Sequence, residues 1–405
     1  MGNWSKDSLD GICNIVKGEQ LNKLDLEKAG DYPCINGGIE PSGYTNKWNR
    51  FENTITISEG GNSCGYVNFL KVKFWSGGHC YSIQNIKEDF DLEFLYYALK
   101  GNESKIMGLR VGSGLPNIQQ KAIKSFEIQY PENKPEQTRI AEILSTADEA
   151  IAHTEALIAK YQRIKTGLMQ DLLTKGIDKN GNIRSKEAHK FVVKNGIEVP
   201  EEWEVYEIGD IFEVKSGTTP KREKFDDYYY QGNTPWVKTL DLNEDYIFST
   251  EENITEKAVK ESNCKKRPIE TILIAMYGGW NQIGRTGVLK VEAATNQAIS
   301  ALIQPNIELN PDFILYYLQY FKYKWKVFAS STRKDPNITK DDVEKFKIAI
   351  PISTTEQAII TEKINNAKDL INTLEIDLEK LQSLKTGLMQ DLLSGKVRVN
   401  MNNKN

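Results

Sequence analysis

A 4-3 spacing, apolar at eight of ten positions, runs from Ile140 through Leu144, Ala147, Ile151, Thr154, Ile158, Tyr161, Lys165, Leu168 and Leu172. Such a stripe predicts a helix carrying a coiled-coil seam. A second stripe reads Ile360, Ile364, Ala367, Ile371, Leu374, Leu378, Leu381, Lys385, Leu388 and Leu392, with lysine at the same place. Pro131 and Pro135 precede the first stripe, while Gly176 and Gly395 are natural stops. Each predicted helix has about 38 residues and a length of about 57 Å. Neither stripe can stay exposed. If the second helix returns along the first, the pair is antiparallel and acts as a rigid spacer between domains.

The two stripes belong to a larger repeat. KTGLMQDLL occurs at Lys165 to Leu173 and again at Lys385 to Leu393, an offset of 220 that holds back to Pro131 and Pro351 with 19 identities in 43 residues. Glu136-Gln137 and Glu356-Gln357 fall inside it. Upstream, Pro116-Asn117-Ile118 matches Pro336-Asn337-Ile338, and Leu95-Tyr96-Tyr97 matches Leu315-Tyr316-Tyr317. Near the domain starts, Trp4, Leu9 and Ile12 match Trp203, Ile208 and Ile211 at an offset of 199, so the second copy has gained about 21 residues in its middle. The helices agree between copies and the domain middles differ, which suggests two related scaffolds for two distinct ligands.

These patterns predict an α+β chain: two tandem α/β domains with mixed sheets, separated by two long antiparallel helices in a pseudo-twofold arrangement. The expected boundaries are 1–134 and 203–354 for the domains, 135–176 and 355–395 for the helices, 177–202 for a linker and 396–405 for a tail. In KTGLMQDLL the apolar set is wider than a seam needs. Gly167, Leu168, Met169 and Leu173, with Gly387, Leu388, Met389 and Leu393, therefore form a second surface. It either packs on the chain's own domains, Gly167 permitting close approach, or docks another protein's helices.

Composition narrows the function. No run approaches the roughly 18 apolar residues of a membrane span, and the N-terminus lacks the apolar stretch of a signal peptide, so a cytoplasmic protein is expected. Five scattered cysteines and three histidines make disulfides and structural zinc improbable. There is no phosphate-binding or dinucleotide-binding glycine motif, and Asn310-Pro311-Asp312-Phe313 reads as a helix start rather than a degraded methyltransferase motif. Asp178 to Asn182 reads as a turn between two strands. No catalytic residue and no metal site is assigned. The net charge of −4 leaves only local basic runs, at Lys221 to Lys224, Lys265 to Arg267, Lys322 to Lys326 and Arg333-Lys334.

Base readout calls for short polar side chains, arginine and asparagine forks, and a backbone that can come close. The turn-rich loops of the first domain offer Ser42, Tyr44, Asn46, Asn62 and Arg110. Those of the second offer Thr218, Thr219, Lys221, Arg222, Lys238, Thr239, Tyr277, Trp280, Asn281, Arg285, Arg333 and Lys334.

The segments INGGIEPSGYTN, ENTITISEGGNSCGYV and FWSGGHCY in the first domain, SGTTPKR, TPWVKTLDLN, ILIAMYGG and TNQA in the second, and KTGLMQDLL after each resemble the specificity subunits of type I restriction-modification enzymes. The resemblance covers nearly the whole chain. It implies that each domain reads one half of a split DNA site and that the helices separate the halves. It also implies two methyltransferase subunits and two restriction subunits as partners, which carry S-adenosylmethionine, ATP and magnesium, with no cofactor on this chain. A scaffold whose two domains bind protein or glycan ligands across a coiled-coil ruler is the competing reading.

Overall fold

The computed structural model describes residues 3–22, 26–112, 114–329 and 336–399, and counts of elements refer to these. Arg333 and Lys334 lie outside the described residues. The chain divides into two compact units, Met1–Leu157 with Leu374–Asn405, and Ile158–Thr373.

Both stripes form continuous helices, Lys134–Thr174 and Thr354–Leu393, and each helix contributes one part to each unit. In the first unit Ile140, Ala141 and Leu144 share a core with Leu392. In the second, Leu172 and Leu173 share a core with Ile360 and Ile364. Within each unit the start of one helix thus meets the end of the other, as an antiparallel seam requires. The helices stop two residues before the expected ends because Gly176 and Gly395 adopt the left-handed conformation, φ +63° and +71°, that ends a helix. At the seam lysine of the second helix, Lys385 pairs with Asp148, which also accepts a 2.8 Å hydrogen bond from the Tyr97 hydroxyl.

The duplication extends to strand register. In the first unit Trp4–Ser8 runs antiparallel to Glu127–Pro131 with Trp4 opposite Pro131; in the second, Trp203–Glu207 pairs with Lys347–Pro351 with Trp203 opposite Pro351. A single helical turn follows each, Leu9–Ile12 and Ile208–Ile211. The main sheet of the first unit has the order Asn14–Lys17, Cys80–Gln84, Thr54–Ser58, Val67–Leu70. Its second-unit counterpart is Glu213–Ser216, Ile299–Ile303, Ile272–Ala275, Thr286–Leu289, with Asp245–Ile247 added in parallel. Thr54–Ser58 and Ile272–Ala275 are buried along their whole lengths, which suits their β-branched content. A smaller three-stranded sheet in each unit mixes parallel and antiparallel pairs. Most of the second copy's extra residues lie between Val237 and Ile272, where they build Asp245–Ile247 and the helix Glu256–Glu261.

Asn310 caps Pro311–Tyr320 by accepting from the Asp312 amide at 2.9 Å, so Asn310-Pro311-Asp312-Phe313 is a helix start. The 177–202 stretch is more than a linker. Asp178 Oδ1 accepts from the Asn180 and Asn182 amides in a turn closed by an Ile177–Ile183 bridge, and a hairpin follows at Phe191–Lys194 and Ile197–Pro200.

The shared Glu-Gln pair explains how each unit is tied together. Gln137 accepts from the Asp91 amide at 2.8 Å and donates to Pro131 O at 2.9 Å; Gln357 does the same with Asn310 and Pro351 at the same distances. Each glutamine thereby joins its long helix to the end of a strand and the start of a short helix. The glutamates hold arginines that follow the other long helix. Glu136 takes both Nε and Nη2 of Arg398 at 2.6 Å, and Glu356 takes Nη1 and Nη2 of Arg184 at 2.5 and 3.0 Å. Glu356 Oε1 also accepts from Trp203 Nε1 and the Ile177 amide, both at 3.0 Å. A Cβ on Gly176 would lie 2.2 Å from Glu356 Oε1 and 2.7 Å from the Trp203 ring, so this helix stop also makes room for the clasp.

Candidate nucleic-acid interface

In each unit, loops from several strands converge at one end of the main sheet, held by close backbone crossings. A Cβ on Gly18 would lie 2.2 Å from Gly77 O, and one on Gly217 would lie 2.0 Å from Thr295 O. Neither neighbour is a flexible side chain that can swing away. Gly217→Ala is therefore expected to cost about 1–3 kcal/mol as an overpacking change, read as a lowered urea midpoint. An unchanged midpoint would show that the loop yields freely.

The strand-end loops share a glycine frame. Gly61 and Gly279 have φ +78° and +76°, and Gly65 and Gly284 have φ +91° and +74°. The closing hydrogen bonds correspond too, from the Gly65 amide to Ser58 O and from the Gly284 amide to Ala275 O, both 2.9 Å. Between these glycines the first unit carries Asn62, Ser63 and Cys64, and the second carries Trp280, Asn281, Gln282 and Ile283. Cys64 and Ile283 are buried, whereas Asn62, Trp280 and Asn281 are exposed. The Pro-Asn-Ile repeat supports this loop from beneath. Ile118 N donates to Glu59 O at 2.8 Å, and Ile338 N donates to Met276 O at 3.0 Å.

In the first unit the loops enclose an open cleft of about 680 Å³ that brings together the expected Ser42 and Asn62. Lys17, Glu59, His79 and Asn117 line it as well, and the sequence reading missed them. The Pro-Asn-Ile repeat was the available signal for Asn117. Burial acts to raise the Glu59 carboxyl, but hydrogen bonds from Lys17 and Tyr81 and the charge of Lys17 outweigh it and hold it below the usual glutamate value. Tyr44, on the strand Gly43–Thr45, is 37% exposed, and Asn46 and Arg110 are exposed; none of these three lines the cleft.

In the second unit Tyr277, Trp280 and Asn281 are exposed on the glycine frame, and Arg285 Nε donates to Asn281 O at 3.0 Å. Trp280 borders a smaller cavity shared with Lys322, Tyr323 and Lys326, within the basic run flagged from sequence. Lys221 is exposed, Thr218 and Thr239 are partly buried, and Thr219 donates its hydroxyl hydrogen bond to Gln297. Arg222 and Lys238 are already engaged. Arg222 forms a two-pronged pair with Glu252 and stacks on Tyr229, while Lys238 pairs with Glu251 and Glu252. Single residues of two other basic runs are also engaged: Lys266 pairs with Glu256 and Lys322 with Glu244, and Arg267 is buried.

The KTGLMQDLL surfaces divide between the two readings. Met169, Leu172 and Leu173 are buried in the second unit's core, with Leu168 packed against it; Leu392 is buried in the first unit's core, with Leu388, Met389 and Leu393 against it. These apolar side chains serve their own domains. Gly167 does not mediate a close approach, because a Cβ there, or on Gly387, would meet nothing within 4 Å.

The family model for the type I restriction modification DNA specificity domain matches residues 1–163 and again 200–386, one match for each copy of the repeat. The chain belongs to this family. A putative type I specificity subunit of Mycoplasma genitalium is 37% identical over 164 residues, which span 40% of this chain and 43% of that protein. A Mycoplasma pneumoniae counterpart is 33% identical over 58% of this chain and 59% of its own length. The matches to these two relatives thus span only about half of their lengths. The specificity subunit of a type I restriction enzyme from Methanocaldococcus jannaschii is 25% identical over 98% of this chain and 93% of that one. Among solved structures, the specificity subunit of the Mycoplasma genitalium type I system superposes with a TM-score of 0.65 at 23% identity, covering 99% and 97% of the two chains. That likeness establishes the fold of two tandem specificity domains with long helices. No described helix is long and apolar enough to cross a membrane.

Proposed function

We propose that the chain is the DNA sequence-specificity subunit of a type I restriction-modification complex, each domain reading one half of a bipartite asymmetric site. The observation that carries this reading is the shared glycine frame with unlike residues at its tip, Asn62-Ser63 against Trp280-Asn281-Gln282. Asparagine and glutamine forks read base edges, and an exposed tryptophan offers a stacking face. The long helices set the unread gap. Two methyltransferase subunits dock along the outer faces of the KTGLMQDLL segments, around the open Gly167 and Gly387, and two restriction subunits complete the assembly. S-adenosylmethionine, ATP and magnesium reside on those partners, and double-stranded DNA is the ligand of this chain. Arg110, Lys221, Arg285, Arg333 and Lys334 serve as phosphate or base contacts, while Arg222 and Lys238 position the loop between them.

The test is methylation of a plasmid library of random sites by this chain with its methyltransferase subunits. One bipartite motif is expected. Exchanging residues 1–130 for another first domain should change one half-site only, and altered letters in both halves would count against independent readers. No methylation with any partner, together with no salt-sensitive DNA binding, would favour the adaptor reading.

A further inference from the structure

Glu59 stands out in the first unit's cleft because the duplicated frame does not need it. Its counterpart, set by the matching hydrogen bonds from Ile118 and Ile338, is the buried Met276. A position that takes a thioether in one copy and a carboxylate in the other has no structural demand for charge. Glu59 Oε1 accepts from Lys17 Nζ at 2.6 Å and from the Tyr81 hydroxyl at 2.9 Å. Oε2 is buried with no hydrogen-bond partner among the described residues, His79 Nδ1 standing 3.5 Å away. An unsatisfied buried acceptor of this kind is rare and costly. Its covers are movable, since the Lys17 and His79 side chains are 51% and 63% exposed. Gly37, Gly60 and Gly61 line the same cleft without side chains, and a Cβ on Gly61 would meet nothing within 4 Å.

We propose that Glu59 reads a base: its Oε2 accepts a hydrogen bond from the exocyclic amino group of one cytosine or adenine in the half-site of the first domain, while Lys17 and His79 turn outward to flanking phosphates. The assignment rests on the DNA-recognition reading above. An ionised carboxylate only accepts, so an amino group satisfies it, whereas guanine O6 or thymine O4 sets acceptor against acceptor. Discrimination on the order of 10- to 100-fold at that base follows. The second domain, with Met276 at this place, makes no such demand.

The experiment compares the wild-type chain with Glu59→Gln, both assembled with methyltransferase subunits, on a library randomised in both half-sites. The amide keeps the shape and the Tyr81 contact but adds a donor. Glu59→Gln is expected to relax one position of the first half-site from cytosine or adenine toward all four bases, leaving the second half-site unchanged. Unchanged letters in both halves at an unchanged rate would overturn the assignment. If Glu59→Gln yields no active complex, Glu59→Asp decides. It keeps the charge but withdraws it, so about tenfold slower methylation of unchanged letters supports the role and a wild-type rate refutes it. A wild-type complex that methylates no site would overturn the DNA reading itself and this assignment with it.

Discussion

Replacing Glu356 by alanine is expected to destabilise the second unit by about 3–5 kcal/mol, the range for removing one partner of a buried ion pair. The Arg184 and Glu356 side chains are only 6% and 9% exposed, so solvent cannot take over the lost contact. The substitution leaves the guanidinium only the exposed Glu202 at 3.7 Å and Lys175 O at 3.4 Å, and it also strands the Trp203 indole N–H and the Ile177 amide, which share Glu356 Oε1. Each orphaned donor costs about 1–3 kcal/mol, though not additively. Urea unfolding with hydrogen exchange read on Trp203–Glu207 measures the loss, and a change below about 1 kcal/mol would show that the pair behaves like a surface contact. Glu136→Ala should cost less, about 1–3 kcal/mol, because the Arg398 side chain is 25% exposed. Replacing Arg184 and Glu356 together with apolar residues should recover part of the loss, since no charge is then left unpaired. The Trp203 and Ile177 donors would still lack an acceptor.

Removing one heptad from each long helix, Ile151 to Leu157 and Glu375 to Leu381, should shorten the unread gap of the DNA site without changing its letters. Both deletions preserve the 4-3 seam, joining Ala147 to Ile158 and Leu374 to Lys385 with the spacing intact. Seven residues remove about 10 Å of helix, about three base pairs at 3.4 Å each. Three base pairs also turn the DNA by roughly 100°, given 10–10.5 base pairs per turn. A lower methylation rate at the shortened site is therefore expected as well. Methylome sequencing of a host carrying the deleted chain provides the measurement. Altered half-site letters, or an unchanged gap, would sink the spacer role.

The repeat made the architecture legible because hydrophobic spacing reports directly on helix faces. The seams, both glycine stops and the Asn310 cap all follow from local chemistry that the sequence displays. The clasps did not show. Arg184 and Arg398 stand at different distances from their helix ends, the Asp178–Asn182 turn intervening in only one copy, so the repeat concealed their common role. Gly167 suggested close packing, but glycine in a sequence does not say which face of the helix it occupies. At the candidate interface, the glycine turns pointed to Asn62 and Trp280, which are exposed, whereas Arg222 and Lys238 looked like free cations because their partners Glu251 and Glu252 are distant in sequence. Glu59 went unnoticed because an acidic residue runs against the charge expected for a polyanion's partner.

The division of each long helix between two units has a consequence for the order of synthesis. The first unit's core contains Leu392, and its Glu136 clasp waits for Arg398, so the N-terminal domain cannot finish folding when its own residues leave the ribosome. At about 5–20 residues per second, the segment beginning at Leu374 emerges on the order of ten to forty seconds after Leu157. During that interval the buried helix positions Ile140, Ala141 and Leu144 lack their final partner, which leaves the nascent first domain open to capture by a chaperone or by another copy's second helix.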